Sequence, residues 1–198
     1  MASLFDTLQV QAFRAGITAR TKESQKWFRN KIEDMKTPSR QALLKDDALN
    51  PTSKELMGAM YMYFYDPKHK KTLPYYDRFP LILMIEPRKG GFLGLNLHYL
   101  RPDIRAKFLD ELMKLAPGKV TDTSRLRRLR YDLISGTRKY KEFRPCLKMY
   151  LTSNIRSKMV RVPMSEWEIA VFLPTEQFKK APKNTVWKDS IKIARQRP

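Results

Sequence analysis

Asp66-Pro67-Lys68 sets a carboxylate two residues ahead of an ammonium, directly after the aromatic run MYMYFY, and Glu86 closes the next apolar run. Carboxylates gathered around a divalent ion, with a lysine steadying the attacking water, are the apparatus of a metal-dependent nuclease. A tripeptide with a proline inside it is better explained as a turn, where Asp and Pro are preferred for their own backbone reasons. Cys146, the single cysteine, has neither His69 nor His98 near it in sequence. It therefore lacks an adjacent base to activate its thiol and reads as a buried filler. His98, close to Asn96 and Tyr99, reads as a hydrogen-bonded core or edge residue, and two histidines are too few for a histidine-rich metal site. Gly94 in FLGLN belongs to no phosphate-cradling loop, which needs several glycines leading into a helix. These residues argue against an enzyme, and no cofactor, metal or small-molecule substrate is expected.

The stronger chemistry is ionic. Forty Lys and Arg oppose twenty Asp and Glu, a net charge of +20 over 198 residues. Residues 1–58 carry +3 and residues 59–100 another +3, whereas residues 101–198 carry +14. Thirteen basic residues between Lys119 and Arg161 face only Asp122, Asp132 and Glu142. Solvated faces normally mix signs, so this asymmetry points to a polyanion. Arg125, Arg127, Arg128, Arg130, Arg138, Lys139, Lys141, Arg144, Lys148, Arg156 and Lys158 are the candidate nucleic-acid contacts, with Tyr140 and Phe143 interleaved. No helix-turn-helix, zinc or ribonucleoprotein motif accompanies them, so the expected ligand is the phosphate backbone of double-stranded DNA, held without regard to sequence. The rings of Tyr61, Tyr63 and Tyr65 fall on the opposite side of an extended segment from Met60, Met62 and Phe64. That tyrosine face can stack on bases or pack beneath a helix, and core packing is the preferred reading.

The elements that position these groups follow from periodicity. Leu4, Phe5, Leu8 and Ala12, closed by Gly16, predict a first helix; Phe28, Ile32 and Met35 predict a second with Lys22, Lys26 and Arg29 on another stripe. Residues 37–57 hold Pro38 and Pro51 without a sustained period and read as a connection. MYMYFY, PLILMI and GFLGLNLHYL predict three antiparallel strands, with Gly90-Gly91 in a tight hairpin. Ile104, Phe108, Leu112 and Leu115 predict a helix after Pro102, and Leu126, Leu129 and Leu133 another from about Thr123. Residues 158–162 read as a short strand. Ser165 and Glu168 have capping-box spacing ahead of a helix, and Val186, Trp187, Ile191 and Ala194 predict a last one. The expected fold is α+β: a small antiparallel core of three to five strands surrounded by helices. Residues 1–57 form an N-terminal helical arm and linker, and residues 58–198 the core with its basic C-terminal half. No run approaches the roughly 18 apolar residues of a membrane span, and MASLFDTLQV lacks the regions of a secretory signal. A soluble, non-exported chain without a membrane partner is expected.

The segments TKESQKWFRNK, MYFYDPKHKKTLPYYDRFPLIL, GFLGLNLHYL and SEWEIAVFLPTEQFKK, with VWKDS near the end, resemble a group of virion proteins of T-even-like tailed phages that includes the DNA end protectors. The likeness spans nearly the whole chain. It implies a protein made in the host cytoplasm and carried in the virion as a head-completion component. Such a protein sits on packaged DNA ends, shields them from exonuclease and meets portal, neck or tail proteins. No family residue carries over one by one. Two other readings stay open: a structural neck, tail or baseplate component docking acidic virion proteins without touching DNA, and the metal-dependent nuclease.

Overall fold

Alternation of side chains builds the main sheet. The computed structural model describes residues 3–51, 57–115 and 141–196. Its strands are β1 (Asn50–Pro51), β2 (Met60–Met62), β3 (Tyr76–Asp77), β4 (Leu81–Arg88), β5 (Gly91–Asn96), β6 (Leu147–Leu151), β7 (Val160–Val162) and β8 (Phe178–Lys179). Six of them form one sheet in the order β1-β7-β2-β4-β5-β6, and β3 pairs with β8 alone; every pairing is antiparallel. The three predicted strands are its centre. β1 and β6 extend it, and β6 lies within what the sequence presents as one long basic segment.

The two faces of the sheet divide as the period of two requires. Met60, Met62, Leu81, Leu83, Ile85 and Leu95 join a large apolar core with the helices. Tyr61, Tyr63, Tyr65, Ile82, Met84, Phe92 and Tyr150 form a second, smaller core on the other face, against which Ile155 and Met159 pack. Tyr61 and Tyr63 are fully buried, so this face is packing and not a platform for bases. Tyr150 is its hub, 4.9 Å from the Tyr65 ring and 5.8 Å from Tyr63 in edge contacts, and 5.6 Å from Phe92 in a stack. Each such pair contributes about 0.5–1.5 kcal/mol beyond its area.

Two glycines make the β4–β5 hairpin. Gly90 adopts φ 76°, the left-handed region that side chains rarely enter. At Gly91 an added Cβ would lie 1.9 Å from the Tyr150 carbonyl oxygen, so only glycine lets β6 approach.

The helices among the described residues are α1 (Leu4–Arg14), α2 (Lys22–Glu33), α3 (Arg40–Leu43), α4 (Pro102–Leu115), α5 (Trp167–Ala170) and α6 (Lys183–Arg195). None is long and apolar enough to cross a membrane. The Ser3 hydroxyl caps α1, and Thr21 and Ser24 form a reciprocal capping box on α2. Phe5, Leu8, Ala12, Phe28 and Ile32 from these two helices enter the same apolar core as Met60 and Leu83. The connection over residues 37–57 has more structure than its lack of period suggests. Ser39 caps α3, β1 pairs with β7, and Leu43 and Leu49 are buried. One buried residue per short element leaves no periodic trace.

The capping box expected at Ser165 and Glu168 does not form. α5 has no side-chain cap, and the Glu168 carboxylate turns inward to accept from the Ser24 hydroxyl at 2.5 Å and the Arg20 amide at 2.9 Å. A buried carboxylate is held by donors from α2 and its approach, which local spacing cannot reveal. Val186 and Ala194 of α6 are buried, as its stripe predicts. The helix predicted from Thr123 lies outside the described residues.

Candidate nucleic-acid interface

The turn after Tyr65 is built by backbone pairing and by one ion pair. The Asp66 amide donates to the Asn154 carbonyl at 3.0 Å, and the Asn154 side chain donates back to the Asp66 carbonyl at 2.7 Å. Lys70 Nζ lies 2.8 Å from Asp66 Oδ2, an exposed i,i+4 contact. That hydrogen bond, with smaller contributions from the charges of Arg156 and Arg78, holds the Asp66 carboxyl below its ordinary range. The Asp-Pro-Lys segment is thus a turn whose carboxylate is bound to its own lysine. Glu86 pairs with Arg88. Among the described residues no three His, Cys, Asp or Glu side chains come together as a metal-holding group.

Beside this turn lies the two-stranded sheet. Tyr76 is opposite Lys179, Asp77 opposite Phe178, and the Arg78 amide donates to the Gln177 carbonyl at 2.9 Å, extending the register by one residue. Asp77 is buried and Phe178 packs edge-on against the Tyr99 ring at 5.2 Å. Alternation then turns Tyr76, Arg78 and Lys179 to the outer face. Lys180, at φ 71°, donates from Nζ to the carbonyls of Lys71 and Leu73, both at 2.8 Å.

Underneath is a sealed polar network. Asp77 Oδ2 sits 2.6 Å from His98 Nδ1 and accepts from Asn96 at 3.2 Å; Oδ1 accepts from the amides of Phe79 and Gln177. His98 Nε2 is 3.1 Å from the Thr175 hydroxyl, and Asn96 also donates to the Tyr150 hydroxyl. Burial alone would raise the Asp77 carboxyl, but the His98 charge and hydrogen bond, with the donors on Gln177 and Asn96, bring it below its ordinary value. Carboxylate, imidazole and hydroxyl in line have the order of a hydrolytic triad. Here Asp77, His98 and Thr175 are all buried, so no substrate reaches the hydroxyl. The network is a strut that pins residues 175–177, and with them β8, to the sheet. Arg40 reinforces it by donating to the carbonyls of Thr175 and Glu176, both at 2.8 Å. His98 is the hydrogen-bonded core residue the sequence suggests. Cys146 is buried too, its thiol pushed up to about 12 by desolvation.

The candidate contacts read from sequence are spread unevenly. Arg125, Arg127, Arg128, Arg130, Arg138 and Lys139 lie outside the described residues. Lys141 is exposed and Arg144 half-buried in the 3-10 segment Lys141–Cys146. Lys148 places Nζ 4.4 Å over the Tyr99 ring, and burial lowers its ammonium pKa. Arg156 and Lys158 are exposed, and Arg156 lies beside the Asp66 turn, its amide donating to the Phe64 carbonyl at 2.7 Å. This places Arg156 with exposed cations that sequence reasoning passed over: Lys68, Lys70, Lys71, Arg78, Lys179 and Lys180. The run KHKK was a visible signal. Its partners came from about a hundred residues away, through a pairing only two residues long.

The chain belongs to a phage protein family. The family model described as Phage T4 terminal DNA protecting protein matches residues 2–190. No curated protein and no solved structure matches the chain.

Proposed function

We propose that the protein grips duplex DNA at its termini by the phosphate backbone, irrespective of sequence. In this role it keeps exonucleases from the ends of a packaged genome and helps to complete the head and neck of the virion. The observation that carries this reading is that Lys70, Arg156 and Arg78 all act on one carboxylate, Asp66, which Lys70 already binds at 2.8 Å, with exposed Lys68 and Lys71 in the same turn. Such a face attracts a polyanion and reads no bases. Membership of a family named for terminal DNA protection supports it. Lys141, Lys158 and the arginines at positions 125, 127, 128, 130 and 138 are further candidate phosphate contacts in this proposal, and portal, neck or tail proteins are the protein neighbours it implies. The role is non-enzymatic.

Salt titration of binding to a linear duplex tests the reading. Affinity falls log-linearly with salt at a slope near −0.9 per phosphate contact, so about six contacts lose roughly a thousandfold between 50 and 200 mM. Under the same conditions the protein slows digestion by an end-dependent exonuclease and leaves the DNA intact when magnesium is supplied alone. Absence of binding to naked duplex overturns the proposal and leaves the docking of acidic virion proteins.

A further inference from the structure

We infer that Tyr76 is a stacking ring for the terminal base of the duplex, an inference that rests on the DNA-binding reading above. Tyr76 is the outward residue of β3, half-buried, with Lys179 directly across the ladder and Arg78 two residues on along the same face. Cross-strand and i+2 neighbours on one face lie within reach of a long side chain. The neighbouring rings are engaged: Tyr75 with Tyr99 at 6.1 Å, Tyr99 with Phe178, and Phe64 with Phe79 at 4.9 Å. Tyr76 alone among them has no ring contact and no side-chain hydrogen bond to any described residue. Its backbone is therefore held by a ladder, its half-buried side chain lies between two cations in the register, and no ring of another described residue contacts it.

An aromatic ring between cations is the arrangement that binds nucleic acid by combining a base contact with phosphate contacts. Within a duplex both faces of every base pair are already stacked, and reaching one requires unstacking its neighbour. The last pair of a linear duplex presents a bare face with no such requirement. A ring at Tyr76 thus adds affinity for an end while Arg78, Lys179 and the Lys68–Lys71 turn hold the phosphates beside it. A ring–base stack amounts to a factor of about 5 to 150 in affinity.

The test compares a blunt linear duplex with a covalently closed minicircle of the same sequence. The intact protein is expected to prefer the linear form by about 5-fold or more. Tyr76→Ala lowers linear affinity to that of the circle, leaves circle binding and the salt slope unchanged, and Tyr76→Phe and Tyr76→Trp keep the preference. A probe independent of substitution is 2-aminopurine at the terminal position, whose fluorescence changes on binding of the unaltered protein, whereas the same base placed several pairs inward does not respond. Equal binding to line and circle, or a silent terminal 2-aminopurine, overturns the inference and leaves backbone binding standing. An unchanged preference in Tyr76→Ala, or its loss in Tyr76→Phe, overturns it as well. Binding to neither DNA overturns both this inference and the reading on which it rests.

Discussion

Asp77 Oδ2 and His98 Nδ1 meet at 2.6 Å with side-chain exposures of 1% and 0%, joining the small outer sheet to the 3-10 turn Leu97–Tyr99 that follows β5. Removal of one member leaves the other polar group buried without its partner and releases the Gln177 amide. Asp77→Ala is therefore expected to destabilise the fold by about 3–5 kcal/mol, measured by denaturant unfolding.

The same pair sets an acid limit. The Asp77 carboxyl is lowered in the folded chain despite burial, so the folded state binds its proton less readily than the unfolded one. Its contribution is complete above the unfolded carboxylate pKa, near 4, and is lost as pH falls through the lower folded value. Melting temperature should drop from about pH 4 downward, and Asp77→Asn should give a lower and flatter curve over that window. A wild-type curve with no acid limb in this range contradicts the assignment.

Gly91→Ala tests the approach of β6 to β5. With a Cβ 1.9 Å from the Tyr150 carbonyl oxygen, backbone must move, and overpacking of this kind costs about 1–3 kcal/mol or more. Gly90→Ala strains only a left-handed φ in open space and is expected to cost about 1–2 kcal/mol. Circular dichroism melts of the two variants should rank them in that order.

Exposed cations separate binding from stability. Lys71→Ala, Arg78→Ala and Arg156→Ala are each expected to change folding stability by no more than about 0.5 kcal/mol, since each side chain is exposed. Each should reduce the slope of log affinity against log salt by about 1, uniformly across DNA sequences. Denaturant unfolding reads the first quantity, and isothermal titration with duplex at several salt concentrations reads the second.

Cys146 reports on opening. Its thiol is buried and shifted to about 12, so thiolate is scarce and shielded near pH 8. Alkylation should be negligible in the native protein and complete once denaturant unfolds it.

Much of this architecture is legible in the sequence because it is written locally. The alternation Met60-Tyr61-Met62-Tyr63 separates two cores, the Leu and Phe spacing after Pro102 makes α4, and Gly90-Gly91 makes the hairpin. What escapes reading is written across the chain. Glu168 has the spacing of a cap, yet its oxygens accept from Ser24 and Arg20 because a core carboxylate takes donors wherever the fold brings them. β3 and β8 are two residues each, too short for any pattern, and they bring Lys179 and Lys180 to KHKK. Lys148 counts as a cation in sequence and as a lid on an aromatic ring in space.

Lys180 bears on how fast a ligand can be caught. By fastening its ammonium to two carbonyls of the lysine-rich turn, it holds the neighbouring charges at set spacings before any anion arrives. The turn then loses little conformational freedom on contact, so association should run close to the speed of electrostatically steered diffusion instead of waiting for a loop to order itself.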